Sequence, residues 1–228
     1  DVRRAKPYQM ADYASRGALL NLEEYVKRDK IDLTQYPELV IKYESYYQGE
    51  FVIFPWFQSV PALFVNDDLM KKAGLTGHPE TWDDLVSYGK KLTDPSNDQW
   101  GYMPYAWPGS ANKWQRTFIL KLWQAGGKTF TDDLKKVAFN SAAGKEAVQV
   151  MVDAVEKHKI TPPPERRDAK QIFAGKVGIF ESGQWDVANL AKQAPDMNYS
   201  TYLLAAHPRT GKRTTMSMSA GFSIFKDA

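Results

Sequence analysis

The sequence lacks cysteine across all of its 228 residues, which excludes disulfide bonds, thiolate nucleophiles and cysteine-based zinc sites. It also lacks any apolar run near the roughly 18 residues that a membrane-spanning helix needs. No apolar signal segment follows the opening residues Asp1–Arg4. A chain without cysteine suits an exported bacterial protein, but many cytosolic proteins lack cysteine too, so this absence leaves the compartment open.

An excess of charge of one sign is absent as well. Lys and Arg number 30 against 27 Asp and Glu, giving a formal charge of +3, and basic pairs such as Arg3-Arg4 and Lys135-Lys136 are scattered. Nucleic-acid-binding proteins gather such residues on one face or helix. We therefore expect no DNA or RNA partner.

Residue patterns typical of catalysis or metal binding are missing. The three histidines, His78, His158 and His207, are isolated from one another, which argues against a metal site. Acidic pairs such as Asp83-Asp84 are adjacent in sequence, and neighbours on a helix do not face each other as the two carboxylates of a glycosidase must. No nucleophile elbow or phosphate loop occurs. The sequence therefore predicts binding, with no catalytic residue, metal or cofactor.

Aromatic residues are abundant, with 7 Trp, 12 Tyr and 11 Phe. Packing in cores and interfaces is one explanation for them, because a tryptophan buries a large area. Stacking against the apolar faces of sugar rings is the other. Both explanations stay open from composition alone.

Hydrophobic periodicity predicts alternating helices and strands, and hence an α/β fold. We expect Thr81 to cap a helix together with Asp84, and Asn140 or Ser141 to cap another. The predicted helices cover residues 8–17, 21–29, 34–47, 81–92, 111–125 and 140–158, with a further short one before 175. The predicted strands cover 51–54, 60–65, 100–103, 137–139, 177–180 and 219–226, and the connection Pro55–Ser59 is predicted to be irregular.

The segment 49–85 carries a long, ordered motif. It resembles the signature of extracellular solute-binding proteins of ABC importers, in the family that includes maltose- and oligosaccharide-binding proteins. Val65 and Asp67 depart from the pattern, which has Tyr and Lys there. The matching positions are Gly49, Pro55, Leu63, Asn66, Asp68, Leu69, Lys72, Ala73, Gly74, Leu75, Pro79, Thr81, Trp82 and Leu85.

A second block, residues 169–185, resembles the same family through Phe173, Gly175, Lys176, Gly183 and Trp185. The exposed N–H groups of a helix starting at Gly183 can bind hydroxyl or anionic groups. The resemblance implies that Trp185 lies against a pyranose ring in a cleft between two lobes. Packing between the lobes is the alternative role for this tryptophan.

The resemblance implies further ligand-binding candidates. Some departures from maltose-binding proteins argue against maltodextrin specificity: Ser59 stands where those proteins have a carboxylate, and Tyr8 where they have an acid. Small residues in the last strand, such as Gly221, would let a ligand approach the backbone. The candidates besides Trp185 and Gly183 are Trp107, Tyr105, Trp56, Gln58, Ser59, Trp114, Tyr8 and Gly221.

The resemblance implies a two-lobed, type II periplasmic-binding-protein-like α/β fold, with one lobe incomplete because family members are longer at both ends. We expect residues 1–57 in the first lobe, 58–205 in the second, and 206–228 back in the first. The connections near Pro55–Ser59 and Tyr202–Pro208 would then act as hinges.

The implied function is to bind a sugar or oligosaccharide and deliver it to the permease subunits of an ABC transporter. The protein would be a monomer and not an enzyme, located in the periplasm or outside the cell, with a lipid anchor left open. Two alternatives remain. One is a carbohydrate-active enzyme such as a glycosidase or lyase, and the other is the same fold binding a peptide, polyamine or phosphodiester.

Overall fold

The computed structural model of the protein describes residues 1–104, 111–163 and 167–226, without the side chains of Tyr8 and of residues 111–114. The chain divides into two compact units. Unit 1 comprises Asp1–Val60 and Ser217–Ala228, and unit 2 comprises Pro61–Met216. No helix of the described residues is both long enough and apolar enough to span a membrane.

Helices and strands alternate along the chain, which confirms the predicted mixed α/β class. The strands are β1 (Val2–Ala5), β2 (Tyr46–Tyr47), β3 (Glu50–Phe51), β4 (Phe54–Ser59), β5 (Ala62–Asn66), β6 (Trp100–Met103), β7 (Val177–Ser182), β8 (Tyr199–Tyr202) and β9 (Met218–Ile224). The α-helices are α1 (Pro7–Ser15), α2 (Glu23–Arg28), α3 (Glu38–Val40), α4 (Asp67–Lys72), α5 (Trp82–Leu92), α6 (Ala111–Gln124), α7 (Ala142–Val155), α8 (Ala169–Phe173) and α9 (Trp185–Gln193).

Unit 1 is built on a three-stranded antiparallel sheet in the order β1-β9-β4. In β1 only the last residue, Ala5, is buried, and it lies opposite Gly221 of β9. The core of the unit contains Ala5, Met10, Leu19, Val52 and Ile53. Since β1 and β4 are the outer strands, each shares only one edge with β9.

Unit 2 is built on a four-stranded sheet in the order β6-β7-β5-β8. Strands β6 and β7 are parallel, whereas β5 is antiparallel to both β7 and β8. Consecutive residues of a strand point to opposite faces of a sheet, so an unbroken apolar run supplies apolar side chains to both faces. Leu63 and Val65 of β5 belong to one buried cluster and Phe64 to the other.

The predicted helix starts of unit 2 are confirmed. Thr81 accepts a hydrogen bond from the backbone N–H of Asp84, and the side chain of Asp84 accepts one from the N–H of Thr81, so α5 begins with a capping box. Ser141 caps α7 by accepting from the N–H of Gly144. The predicted strand at 100–103 is β6.

The single helix predicted for residues 34–47 is wrong. Tyr36, which precedes Pro37, is extended with ψ 148°, as expected of a residue before proline. The segment is instead split into a 3₁₀ turn (Leu33–Gln35), α3, a π-helical turn (Ile41–Ser45) and β2. Pro37 therefore interrupts the helix that side-chain periodicity alone predicts for residues 34–47.

The irregular connection predicted at Pro55–Ser59 is also wrong, because these residues belong to β4. Proline is tolerated there because β4 is an outer strand of its sheet. The strand predicted at 137–139 is reduced to one isolated bridge between Phe130 and Val137. A two-residue pairing of this kind leaves Val137 exposed.

Residues 206–216 belong to unit 2, whereas the resemblance implied that they return to the first lobe. His207 explains this placement. Its Nε2 atom lies 2.8 Å from Oε1 of Glu146 in α7, and its ring meets Trp82 of α5 edge-on. Arg209 also pairs with Glu146 at 2.7 Å, so this stretch is fastened to helices of unit 2.

Candidate functional site

Two parallel strands of unit 2 end side by side. Strand β6 ends at Met103 and β7 at Ser182, and the register pairs Met103 with Phe180. In open α/β sheets, ligands bind outside the carboxyl ends of such strands. The predicted ligand residues Gly183 and Trp185 follow β7 directly and therefore lie at this edge of the sheet.

Hydrogen bonds hold the turn that joins β7 to α9. The Ser182 hydroxyl donates to Oδ2 of Asp186 at 2.5 Å, and the Asp186 N–H donates to the carbonyl of Gly183 at 3.0 Å. The Asn189 side chain donates to Oδ1 of Asp186 at 2.8 Å. Trp185 is the first residue of α9 and is half-buried. These hydrogen bonds thus fix the backbone position from which the side chain of Trp185 extends.

Three further candidates have side chains outside the described part of the structure. Tyr105 and Trp107 follow β6 within two to four residues but lie outside the described residues. Trp114 belongs to α6, and its side chain is also outside the described part of the chain. Their roles as ligand residues stay predictions.

A buried polar cluster lies on one face of the same sheet. Oε1 of Glu181 accepts hydrogen bonds from the Tyr102 hydroxyl at 2.8 Å and from Nζ of Lys121 at 2.9 Å. The ammonium group of Lys121 also lies 5.3 Å from the ring of Trp82. Burial, together with the negative charge of Glu181, raises the pKa of Tyr102 well above its usual value.

This buried polar cluster was not predicted from the sequence. Its signal was present, because Glu181 is an acid at the end of the otherwise apolar run Val177–Phe180 and can only be buried there if a cation meets it. The partner could not be read from the sequence, since Lys121 is 60 residues away. Oε2 of Glu181 is buried without a hydrogen-bond partner among the described residues.

In unit 1, Trp56 lies at a β-bulge. The register between β4 and β9 shifts between Pro55 and Phe57, so Trp56 has no partner residue on β9. Its side chain is 54% exposed, with the Arg4 guanidinium 5.1 Å from the ring centroid and the Phe222 ring at 5.5 Å. Bulges of this kind re-aim side chains next to binding sites.

The other candidates of β4 have structural partners. Gln58 donates to the Ser217 hydroxyl at 3.0 Å, and Ser217 donates to Oε1 of Glu44 at 2.8 Å. Glu44 belongs to the π-helical turn, an element frequent at functional sites. Ser59 is only 2% exposed, which leaves little of its hydroxyl for a ligand to reach.

Gly221 is explained by close packing within the sheet. A Cβ atom added there would lie 2.2 Å from the carbonyl oxygen of Phe54 and 2.4 Å from the side chain of Ile53. The absence of a side chain thus lets β9 and β4 approach each other. Tyr8 lies in α1, and its side chain is outside the described part of the structure.

A metal centre is not formed by the described residues: no group of three or more His, Asp or Glu side chains comes together in ranges 1–104, 111–163 and 167–226. The polar groups described above are hydroxyls, amides and carboxylates, with the Arg4 guanidinium in unit 1 and the Lys121 ammonium in unit 2. Such groups bind hydroxyl-rich or anionic solutes through hydrogen bonds, with aromatic rings for apolar faces.

Comparisons with known proteins agree on one family. The family model described as bacterial extracellular solute-binding protein matches residues 2–228. The sn-glycerol-3-phosphate-binding periplasmic protein UgpB of Brucella abortus is 25% identical over 224 residues, which cover 93% of this chain. They cover 50% of that relative, so the chain spans about half the length of the curated relatives it matches.

Solved structures of similar fold cover the whole chain. An ABC substrate-binding protein of Listeria monocytogenes in complex with cycloalternan has a TM-score of 0.87, with 24% identity, covering 100% of this chain and 57% of that one. Maltose-bound MalE3 of T. maritima has a TM-score of 0.84, with 26% identity, covering 99% and 57%. The fold is thus that of a type II periplasmic binding protein.

Proposed function

Because the chain belongs to the family of bacterial extracellular solute-binding proteins, we propose that it binds a sugar or oligosaccharide for an ABC importer. The observation that carries the proposal is the turn after β7. It sets the half-buried Trp185 and the buried Gly183 at the carboxyl edge of the unit 2 sheet, held by Asp186. Sugar recognition requires an aromatic face together with polar groups that bind hydroxyls.

The ligand residues that we propose first are Trp185 and Gly183 in unit 2, and Trp56 and Gln58 in unit 1. Gly183 and Trp185 follow the end of β7, Trp56 lies at the bulge of β4, and Gln58 is half-buried. We propose Ser59 and Gly221 as weaker contributors to ligand binding, because Ser59 is buried and close strand packing explains Gly221. Unit 1 and unit 2 correspond in this proposal to the two lobes of the family.

A second candidate solute is a phosphorylated polyol. The curated relative from Brucella abortus is named for binding sn-glycerol 3-phosphate. Arg4 of this chain lies over Trp56 and forms no ion pair within the described residues, so a phosphate could use its charge. This surface belongs to unit 1, whereas Gly183 belongs to unit 2.

The proposal includes the absence of enzymatic activity, a periplasmic or extracellular location, a monomeric state and delivery to permease subunits. A lipid anchor is an open part of the same proposal. The acidic pairs that are adjacent in sequence support the absence of enzymatic activity, because a glycosidase needs two carboxylates that face each other. The alternative of a glycosidase or lyase is kept as an outcome of the experiment.

The test is calorimetric titration of the full-length protein with maltose, maltotriose, ribitol and sn-glycerol 3-phosphate, followed by analysis of each mixture for new reducing ends. We expect saturable binding of at least one sugar without new reducing ends. Cleavage of an oligosaccharide would support the enzyme instead. Binding of none of these solutes would overturn the proposal.

A further inference from the structure

The chain passes between its two units at two places. Unit 1 is followed by unit 2 after Val60, and unit 2 is followed by unit 1 again after Met216. We infer that Glu44 is a positioning residue that clamps the unit 1 side of both crossings, so that the units move only about Val60 and Met216. The inference rests on the proposed function for its consequence, since such movement affects binding only if the solute prefers one arrangement of the units.

Hydrogen bonds of Glu44 tie the two crossing strands together within unit 1. The Ser217 hydroxyl donates to Oε1 of Glu44 at 2.8 Å, and the Ser219 hydroxyl donates to Oε2. The Gln58 amide of β4 donates in turn to the Ser217 hydroxyl at 3.0 Å. A hydroxyl that accepts one bond and donates another lets the two bonds polarise and strengthen each other. The end of β4 and the start of β9 are thus joined to one carboxylate.

The turn that carries Glu44 is anchored in the core of unit 1. Glu44 belongs to the π-helical turn Ile41–Ser45. The carbonyl of Ser45 accepts hydrogen bonds from the backbone N–H groups of Val52 at 3.0 Å and Ile53 at 3.1 Å. Both of these residues are part of the buried apolar cluster of the unit. Glu44 therefore holds the strand ends against a fixed support.

Further contacts hold the chain on either side of the crossings. In unit 1, the pairing of β4 with β9 extends to Ser59, which lies opposite Met218. In unit 2, the Thr215 hydroxyl donates to the carbonyl of Pro61 at 3.1 Å. Each crossing thus has a hydrogen-bonded residue on both sides, and a single residue of each crossing remains between them.

These two single residues are Val60 and Met216. Val60 is 45% exposed and Met216 is half-buried, so neither is locked into a core. The residue before a proline is restricted to extended conformations, which limits Val60 because Pro61 follows it. Met216 precedes a serine and has no such restriction. Most of the backbone rotation is therefore assigned to Met216.

The clamp acts on binding without touching the solute. A joint limited to one residue in each crossing keeps the ligand-free protein within a narrow set of arrangements. Without Glu44, the ends of β4 and β9 gain freedom and the protein spreads over more arrangements. The apparent affinity of a ligand falls in proportion to the fraction of molecules that is competent to bind. Glu44 thus lowers the cost of reaching the bound arrangement.

The chain offers matched controls for Glu44→Ala. Glu50→Ala removes an exposed acid of β3 in the same unit, with the same change in net charge. Ser223→Ala removes another hydroxyl of β9, which donates to the Val52 carbonyl at 2.6 Å away from the crossings. Glu44→Gln serves as the conservative variant, because its amide oxygen can still accept one of the two serine hydroxyls.

The first measurement is hydrogen exchange of the ligand-free, full-length protein, read by mass spectrometry. In Glu44→Ala we expect the amides of residues 218–220 to exchange about tenfold faster, because two hydrogen bonds to a charged group are lost. Exchange in the unit 2 sheet should stay unchanged. Glu50→Ala and Ser223→Ala should stay within about twofold of the wild type at residues 218–220, and Glu44→Gln should lie between.

The second measurement is the distribution of distances between one spin label on α2 in unit 1 and another on α5 in unit 2. We expect Glu44→Ala to broaden this distribution without ligand and to weaken maltose binding by about threefold to tenfold. A residue that only stabilises β9 would not broaden it. Thr215→Val removes the clamp of unit 2 and should broaden the distribution as well, which keeps the test decisive if Glu44→Ala fails to fold.

A distribution as narrow as that of the wild type in Glu44→Ala, or in Thr215→Val if only that variant folds, overturns the inference. Faster exchange without broadening overturns it too, because Glu44 would then serve only the stability of β9. Both measurements are made without solute and are therefore separate from the proposed function. A broadened distribution in a protein that binds none of the tested solutes supports the clamp and overturns the proposed function.

Discussion

Lys121 and Glu181 form an ion pair at 2.9 Å inside unit 2, where their side chains are 5% and 0% exposed. The pair joins α6 to the end of β7, two residues before Gly183. It therefore links α6 to the edge of the sheet at which we propose that solute binds. Removing one partner leaves the other charge buried and uncompensated. This destabilises the fold more than replacing both partners with apolar residues.

We predict that Lys121→Met lowers the free energy of unfolding by about 3–5 kcal/mol, because Glu181 would lose its cation and its second oxygen has no partner among the described residues. The double variant Lys121→Met with Glu181→Leu should recover most of this loss. Urea unfolding followed by far-UV circular dichroism measures both. A single variant as stable as the wild type would contradict the assignment of a buried ion pair.

Trp185→Ala is predicted to weaken sugar binding by about 1–3 kcal/mol, the range for loss of a buried aromatic contact. The control is Trp123→Ala in α6, a half-buried tryptophan whose Nε1 donates to Thr129. Titration calorimetry with the sugar that binds the wild type gives the comparison. Unchanged affinity together with lowered thermal stability would instead assign Trp185 to packing.

Glu146 gives the stability a dependence on acidic pH. Burial raises its pKa, but hydrogen bonds and positive charge from His207 and Arg209 outweigh burial and hold the pKa below its usual value. A lowered pKa in the folded state means that Glu146 contributes stability above its unfolded pKa, about 4.3, and that this contribution is lost as pH falls through the folded value.

Melting temperatures between pH 6 and pH 3 test this account of Glu146. The wild type should lose more thermal stability over that interval than Glu146→Gln, because the variant has no carboxylate to protonate. Glu156→Gln, which changes an exposed acid just after the same helix, serves as control and should follow the wild type. Parallel curves for wild type and Glu146→Gln would refute the role of the Glu146 carboxylate.

Gly221→Ala is predicted to destabilise unit 1 by about 1–3 kcal/mol, the usual cost of forcing extra atoms into a packed region. The added Cβ would lie 2.2 Å from a backbone oxygen of β4, which cannot move as a side-chain end could. Unfolding in urea measures the change. A neutral effect would show that β4 and β9 can separate at this point without loss.

Local sequence signals foretold the elements that depend on local chemistry. Thr81 with Asp84, and Ser141, marked helix starts that the structure confirms. Pro37 could have predicted the break in residues 34–47, but apolar periodicity favoured one continuous helix there. Pro55 favoured a loop, because a proline is tolerated in a strand only at the edge of a sheet and the order of the strands was unknown. Sheet order is a long-range property that no short window contains.

The ligand-binding roles of the candidate residues stay predictions, and only their places in the fold can be compared with the sequence. Gly183 and Trp185 followed from the resemblance and from a glycine at a helix start, and the structure places both at the carboxyl edge of the sheet. The side-chain contacts at this edge of the sheet could not be predicted from the sequence. Lys121 meets Glu181 across 60 residues, and the bond between Ser182 and Asp186 needs a turn geometry that residue types alone do not give.

We propose that this protein binds a neutral sugar or oligosaccharide. Mass spectrometry of the solute carried through purification of the full-length protein, released by denaturation, tests it most directly. We expect a neutral saccharide in about one copy per protein, absent from Trp185→Ala prepared in the same way. Recovery of a phosphorylated polyol, a peptide or a polyamine in that amount would contradict the claim.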